Sequence, residues 1–248
     1  MKPTKKLSHK HLRYLTKKEF KDPLYAIAEF CRSTSSLSDY QADIADITHA
    51  SDQYLRQLEP LKISNLLFSW RQIVKHIELL YLLSHKKIDW VVHPDEAHHK
   101  LTINLQAHWI HDSTLRGGTY LNFERLKLAE MRNISIFINK FFKFKSLRKW
   151  YRTMDEILET FFEEYSLSDL IDYAEDRSRI FNYLEKLADA IFIIYATKAR
   201  AHIFKYYVRE LNLEVHLGKE QRETDGTPLD EAPLPTESPA MDKTGDDG

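Results

Sequence analysis

The sequence predicts a mainly α-helical fold: an irregular multi-helix bundle of about six helices, with a small β-hairpin insertion near residues 88–105 and a disordered C-terminal tail. Three observations predict it. Glycine (6) and proline (8) are scarce in 248 residues, which favours long helices. Hydrophobic residues make up 43% and aromatic residues 12%, enough for a sizeable core. Apolar residues recur at helical spacing, most densely in Leu61–His85, LKISNLLFSWRQIVKHIELLYLLSH. There Leu66, Leu67, Trp70, Ile73, Val74, Ile77, Leu80 and Tyr81 form one face, flanked by Phe68, Leu79, Leu82 and Leu83. A helix apolar round most of its girth belongs at the centre, with neighbours on several sides.

The elements follow in order. Residues 1–15 read as a basic flexible arm, 16–217 as a single helical domain, and 218–248 as an acidic tail containing Pro and Gly. Thr16-Lys17-Lys18-Glu19 has the form of a capping box. Asp22-Pro23 is a second start signal, a cap followed by proline at the first helical position. The helix it opens runs through Cys31 and buries Leu24, Ile27, Ala28 and Cys31. After the Ser-rich break Ser33–Ser38, Ser38 with Gln41 forms another capping box, and a helix from Asp39 to about Leu58 buries Tyr40, Ile44, Ile47, Tyr54 and Leu58. Pro60 opens the central helix.

Ile88–His93 and Lys100–Leu105 are β-branched, aromatic or alternating, and a polar, proline-containing segment joins them, which predicts the two strands of the hairpin. Gln106–Arg116 reads as a connector and Gly117-Gly118 as a turn. Helices are expected again over about Tyr120–Phe144, Ser146–Tyr165 and Asp169 to about Leu213. In the last, Ile180, Leu184, Leu187, Ile191 and Ile194 alternate four and three apart as a packing stripe. No internal repeat of fixed period is visible.

Charge is uneven. The first 21 residues hold eight Lys or Arg and one Glu, while the last 31 hold three Lys or Arg and nine Asp or Glu. A mildly basic body permits polyanion binding. The single cysteine, Cys31, excludes an intramolecular disulfide and reads as a small core residue. With no cleavable apolar segment at the start, this predicts a cytoplasmic protein. Leu187–Ala196, the longest apolar run near the C-terminus, is too short to span a bilayer.

Four constellations bear on chemistry. Asp43, Asp46 and His49 share a helix face, where a solvated acidic face is the commoner reading. Five of twelve histidines lie in residues 93–111, and His93, His98, His108 and His111 are the candidate metal ligands. No H-E-x-x-H accompanies them, and adjacent His98 and His99 would point to opposite faces of a strand, so the segment reads as loop histidines and no metal or cofactor is expected. Arg71-Gln72-Ile73-Val74-Lys75-His76 is an R-x4-H arrangement on a helix. It resembles the R-x(4–6)-H motif of the HEPN family, over these six residues and a helical context. That resemblance implies a dimeric, metal-independent RNase in which Arg71 would hold phosphate and His76 would assist attack by a ribose 2′-hydroxyl. Gln72 departs from the more polar residue the family often has there. Alternatively, Arg71 and His76 are flank residues of a buried helix.

The fourth runs from Lys140 to Arg152, KFFKFKSLRKWYR. Six basic residues, Lys140, Lys143, Lys145, Arg148, Lys149 and Arg152, interleave with five aromatics around a helix junction. Bases can stack on such aromatics while the cations neutralise phosphates. The competing reading turns the aromatics to the core and the cations to water. Nucleotide-binding glycine loops, the G-x-S-x-G elbow and zinc-ribbon cysteine patterns are absent, which excludes the common nucleotide and hydrolase folds.

Three functional readings follow in order of preference: a non-catalytic helical interaction protein with an unidentified protein partner; a weak nucleic-acid binder using the basic-aromatic patch and arm; and a HEPN-like RNase using Arg71 and His76. A continuous positive face joining the arm to Lys140–Arg152 would favour the second. The oligomeric state is not legible in the sequence.

Overall fold

The computed structural model describes residues 8–33, 36–52, 60–92, 101–104, 109–112, 119–162, 166–170 and 174–200. All belong to one unit, Met1–Lys205; the second unit, Tyr206–Gly248, which contains the expected tail, lies outside the described residues.

The fold is mainly helical. After a 3-10 turn at His9–His11, the helices are α1 (Lys17–Lys21), α2 (Pro23–Ser33), α3 (Leu37–Asp52), α4 (Pro60–Ser84), α5 (Leu128–Arg132), α6 (Ile134–Phe144), α7 (Leu147–Glu159), α8 (Leu167–Leu170) and α9 (Ala174–Ile194). A π-helical turn, Tyr195–Ala199, continues α9. Helix α4 touches α2, α3, α6, α7 and α9, as its girdle of apolar residues requires. Ile73, Val74, Ile77, Leu79, Leu80, Leu82 and Leu83 are all buried, and α9 supplies the second buried column, Ile180 to Ile194. One core cluster runs through both. No helix of the described residues is long and apolar enough to cross a membrane.

Local chemistry sets the helix starts. The Thr16 hydroxyl accepts from the Glu19 amide at 3.2 Å while the Glu19 carboxylate accepts from the Thr16 amide at 2.8 Å. Asp22 accepts from the Tyr25 amide at 3.1 Å, one residue before Pro23 enters α2. The cap of α3 falls two residues before the Ser38–Gln41 box. Ser36 and Asp39 exchange reciprocal bonds of 3.1 Å, and Asp39 adds a charge that favours the helix N-terminus.

The β insertion differs in its pairing. It is a three-stranded antiparallel meander, β1 (Leu101–Asn104), β2 (Trp109–Asp112) and β3 (Thr119–Asn122), in the order β1-β2-β3. The register aligns Thr102 with His111 and Tyr120, and Ile103 with Ile110 and Leu121. Thus β1 lies where the second hairpin strand was expected, but its partner is the segment read as a connector. Residues 88–92 make only an isolated bridge, Val91 to Asn133, while Ile88 and Trp90 pack on the helical core. Their β-like composition covers helices rather than joining the sheet.

The helix expected over 120–144 is divided. Leu121 and Phe123 bury the end of β3 in the core, and Asn133 separates α5 from α6 by capping α6 through Ser135 at 3.1 Å. Of the helix expected from Asp169 the structure describes α8 and α9; residues 171–173, the continuation past Arg200 and the stretch of the second helix past Asp52 lie outside the described residues. Residues 12–15, expected within the flexible arm, are docked: Leu12 and Leu15 are buried in the core cluster.

Candidate functional site

The docked N-terminal strap is held by a carboxylate. Glu78 sits in the apolar centre of α4 and is fully buried. It accepts hydrogen bonds from the backbone amides of Arg13 (2.5 Å), Tyr14 (3.1 Å) and Leu15 (3.0 Å), and from the Tyr151 hydroxyl (2.5 Å). Burial, with Glu78 close by, pushes the Tyr151 phenol far above its ordinary value, so it stays a donor. Outside this cluster, the Arg13 guanidinium lies 4.3 Å above the Tyr151 ring and bonds both oxygens of Asp155, at 2.7 and 2.9 Å.

The α6–α7 junction forms the opposite side. Its aromatics mostly face inward: Phe141 and Trp150 are buried and stacked at 4.4 Å, and Phe144 stacks on Tyr183 at 4.8 Å. Ser146 caps α7, accepting from the Lys149 amide at 3.4 Å. No acidic residue occupies the first turn of α7, so the positive end of its dipole is not offset there. Half-buried Phe142 reaches toward Tyr81 of α4, with ring centres 5.4 Å apart.

Between strap and junction lies a groove of about 750 Å³. Lys10, His11 and Arg13 line it from the strap and Arg148 from α7; Tyr81, Phe142, Leu147 and Tyr151 supply its apolar surface. The fold therefore joins the basic N-terminal segment to the basic-aromatic segment, about 130 residues apart in sequence.

No family model matches the chain, and no curated protein or solved structure matches it significantly. The assignment of a site therefore rests on geometry.

The six cations of Lys140–Arg152 play different parts. Lys140 pairs at 2.8 Å with buried Glu130, which also takes Lys186 at 3.4 Å and caps α5 through the Lys127 amide at 3.1 Å. Arg152 pairs with Glu156 at 2.9 Å. Lys145 is half-buried, 5.5 Å from the Phe144 ring centre, and burial lowers its ammonium below the ordinary value. Lys143, Arg148 and Lys149 are exposed and make no ion pair with a described residue. Only Arg148 of the six lines the groove.

The Arg71–His76 pair is not brought together. Positions five apart on a helix are separated by about 140°. Arg71 is exposed beside Tyr14, 5.3 Å from its ring centre. His76 is 1% exposed; its Nδ1 lies 2.6 Å from the Tyr40 hydroxyl and its ring 4.2 Å from that of Phe30. Burial, with Lys75 adding to it, pushes the imidazole down to about 3, so it is neutral at pH 7. His76 thus packs among core side chains of α4's buried face.

His93, His98 and His108 lie outside the described residues; His111 is in β2. Among the described residues no three His, Cys, Asp or Glu side chains converge as a metal site. Cys31 is buried, and burial raises its thiol well above the ordinary value. Sequence reasoning missed Glu78 and Tyr81. A lone acid in the run Ile77-Glu78-Leu79-Leu80 was the available signal for the first.

Proposed function

We propose that the protein is a non-catalytic binder of single-stranded nucleic acid, with little sequence preference. The observation that carries this reading is the groove in which Lys10, His11, Arg13 and Arg148 flank Tyr81, Phe142 and Tyr151. Lys10 and Arg148, both exposed, suit phosphates, and the half-buried rings of Tyr81 and Phe142 suit unpaired bases, whose faces a duplex does not offer. The N-terminus of α7, lined at Ser146 and Leu147, adds amide donors toward the same anion. The interaction-protein reading supplies the non-catalytic half of this proposal; a bare apolar groove would have favoured a protein partner, and this groove carries cations.

The test is fluorescence anisotropy of a labelled oligothymidylate and of a duplex of equal length. The single strand should bind with a Kd in the range of about 1–100 μM at physiological salt and more tightly at low salt. Lys10→Glu with Arg148→Glu, both exposed, should weaken binding at least about tenfold with the thermal midpoint unchanged, because two cations facing phosphate become repelling carboxylates. Absence of binding at low salt, or an unaffected double variant, contradicts the proposal.

A further inference from the structure

A buried acid in the packed face of a central helix is costly unless its hydrogen bonds are met. Glu78 meets them with three consecutive backbone amides and one phenol, and makes no ion pair with a described residue. Packing of α4 does not need a charge at this position: Val74 and Leu82, one turn away on the same face, are buried hydrocarbons. What the carboxylate specifies is the path of the strap. Three successive N–H groups aimed at one carboxylate fix the backbone of Arg13–Leu15, and with it the adjoining turn that carries Lys10 and His11. The same carboxylate takes the hydroxyl of Tyr151, the residue of α7 that also lines the groove. Both walls are therefore referenced to one group.

We propose that Glu78 is the positioning residue of the groove, ordering its cationic wall from beneath without meeting the ligand. This inference rests on the single-strand reading given above. Without the carboxylate, the three amides lose their common acceptor, and Lys10, His11 and Arg13 no longer hold one wall. A glutamine is nearly isosteric, but its NH2 group would face N–H donors.

The test compares full-length wild type, Glu78→Gln and Asp189→Asn. Asp189 is an equally buried acid that holds the Arg125 and Leu126 amides, outside the groove lining, and so controls for the general loss of a buried carboxylate. Two readouts are taken: oligothymidylate affinity as a function of salt, and amide hydrogen exchange. Glu78→Gln should bind at least about tenfold more weakly. Its slope of log K against log salt should become shallower by about 1.4, as expected when two phosphates of a single strand go unneutralised at about 0.7 each. Exchange at residues 13–15 should accelerate. Asp189→Asn should keep the wild-type slope.

A Glu78→Gln protein with the wild-type slope overturns the inference while leaving the groove reading intact. An equal change of slope in Asp189→Asn also overturns it, since the effect is then one of general stability. Failure of the wild type to bind at low salt sinks the groove reading and this inference together. Should Glu78→Gln not fold, the wild type alone decides: amides 13–15 must be protected in the free protein and more protected with oligothymidylate. Rapid exchange there, or no change on adding the oligonucleotide, overturns the proposal.

Discussion

At the scale of single residues, three buried carboxylates organise the irregular parts of the chain. Glu78 holds the strap, Asp189 the segment after β3, and Glu130 the start of α5. Their environments predict opposite responses to acid. Burial alone would raise Glu130, but Lys140, the Lys127 amide and Lys186 outweigh it and leave the group below its ordinary value. Its contribution is present above the unfolded carboxyl value and is lost as pH falls through the lower folded one. Burial pushes Asp189 up, only partly opposed by the Arg125 amide, Gln41 and the Leu126 amide. Its linkage contribution is present below the unfolded value and is lost as pH rises through the folded one. Thermal midpoints measured from pH 7 to pH 3 should therefore fall less steeply for Glu130→Gln than for wild type, and more steeply for Asp189→Asn. Parallel profiles for all three proteins would contradict these environments. The acids at 78 and 189 were visible in the sequence as single charges within apolar runs. Their partners were not, because the bonds reach across 63 to 148 residues and leave no local pattern.

At the scale of elements, the long helices were legible because one mechanism dominates each of them. Repeated apolar spacing marked α4 and α9, and capping residues marked α1 and α2. Errors arose where a weak period met a strong local signal. Thr119–Asn122 was absorbed into a helix although it alternates and follows Gly117-Gly118, and Asn133 was passed over as a helix break. The joint between α4 and α7 is partly polar: the Trp70 indole N–H donates to the Met154 carbonyl at 2.6 Å. Trp70→Phe removes that donor with modest loss of volume and should cost about 1–3 kcal/mol, since the buried bond is lost along with some packing. Trp150→Ala removes a fully buried ring stacked on Phe141 and should cost about 3–5 kcal/mol. Urea denaturation of the two variants checks this order. A Trp150→Ala loss below that of Trp70→Phe would contradict the packing described for α6 and α7.

At the scale of the whole molecule, the fold turns two unremarkable basic segments into one surface. Each alone reads as solvated lysine and arginine, and for Lys140, Lys145 and Arg152 the structure gives specific ion-pair or packing roles. What no local pattern could show is that the strap crosses α4 and lies against the start of α7, so that Lys10, His11, Arg13 and Arg148 share a groove with Tyr81, Phe142 and Tyr151. On the proposed reading, a single nucleic-acid strand lies in this groove. The most direct test of that reading is photocrosslinking of the full-length protein to an oligonucleotide carrying photoreactive thymidines, with the crosslinked residues located by mass spectrometry. Crosslinks should concentrate at Lys10, His11, Tyr81 and Phe142, and be abolished by competition with unlabelled single strand. Crosslinks confined to surfaces away from the strap and the α6–α7 junction would contradict it.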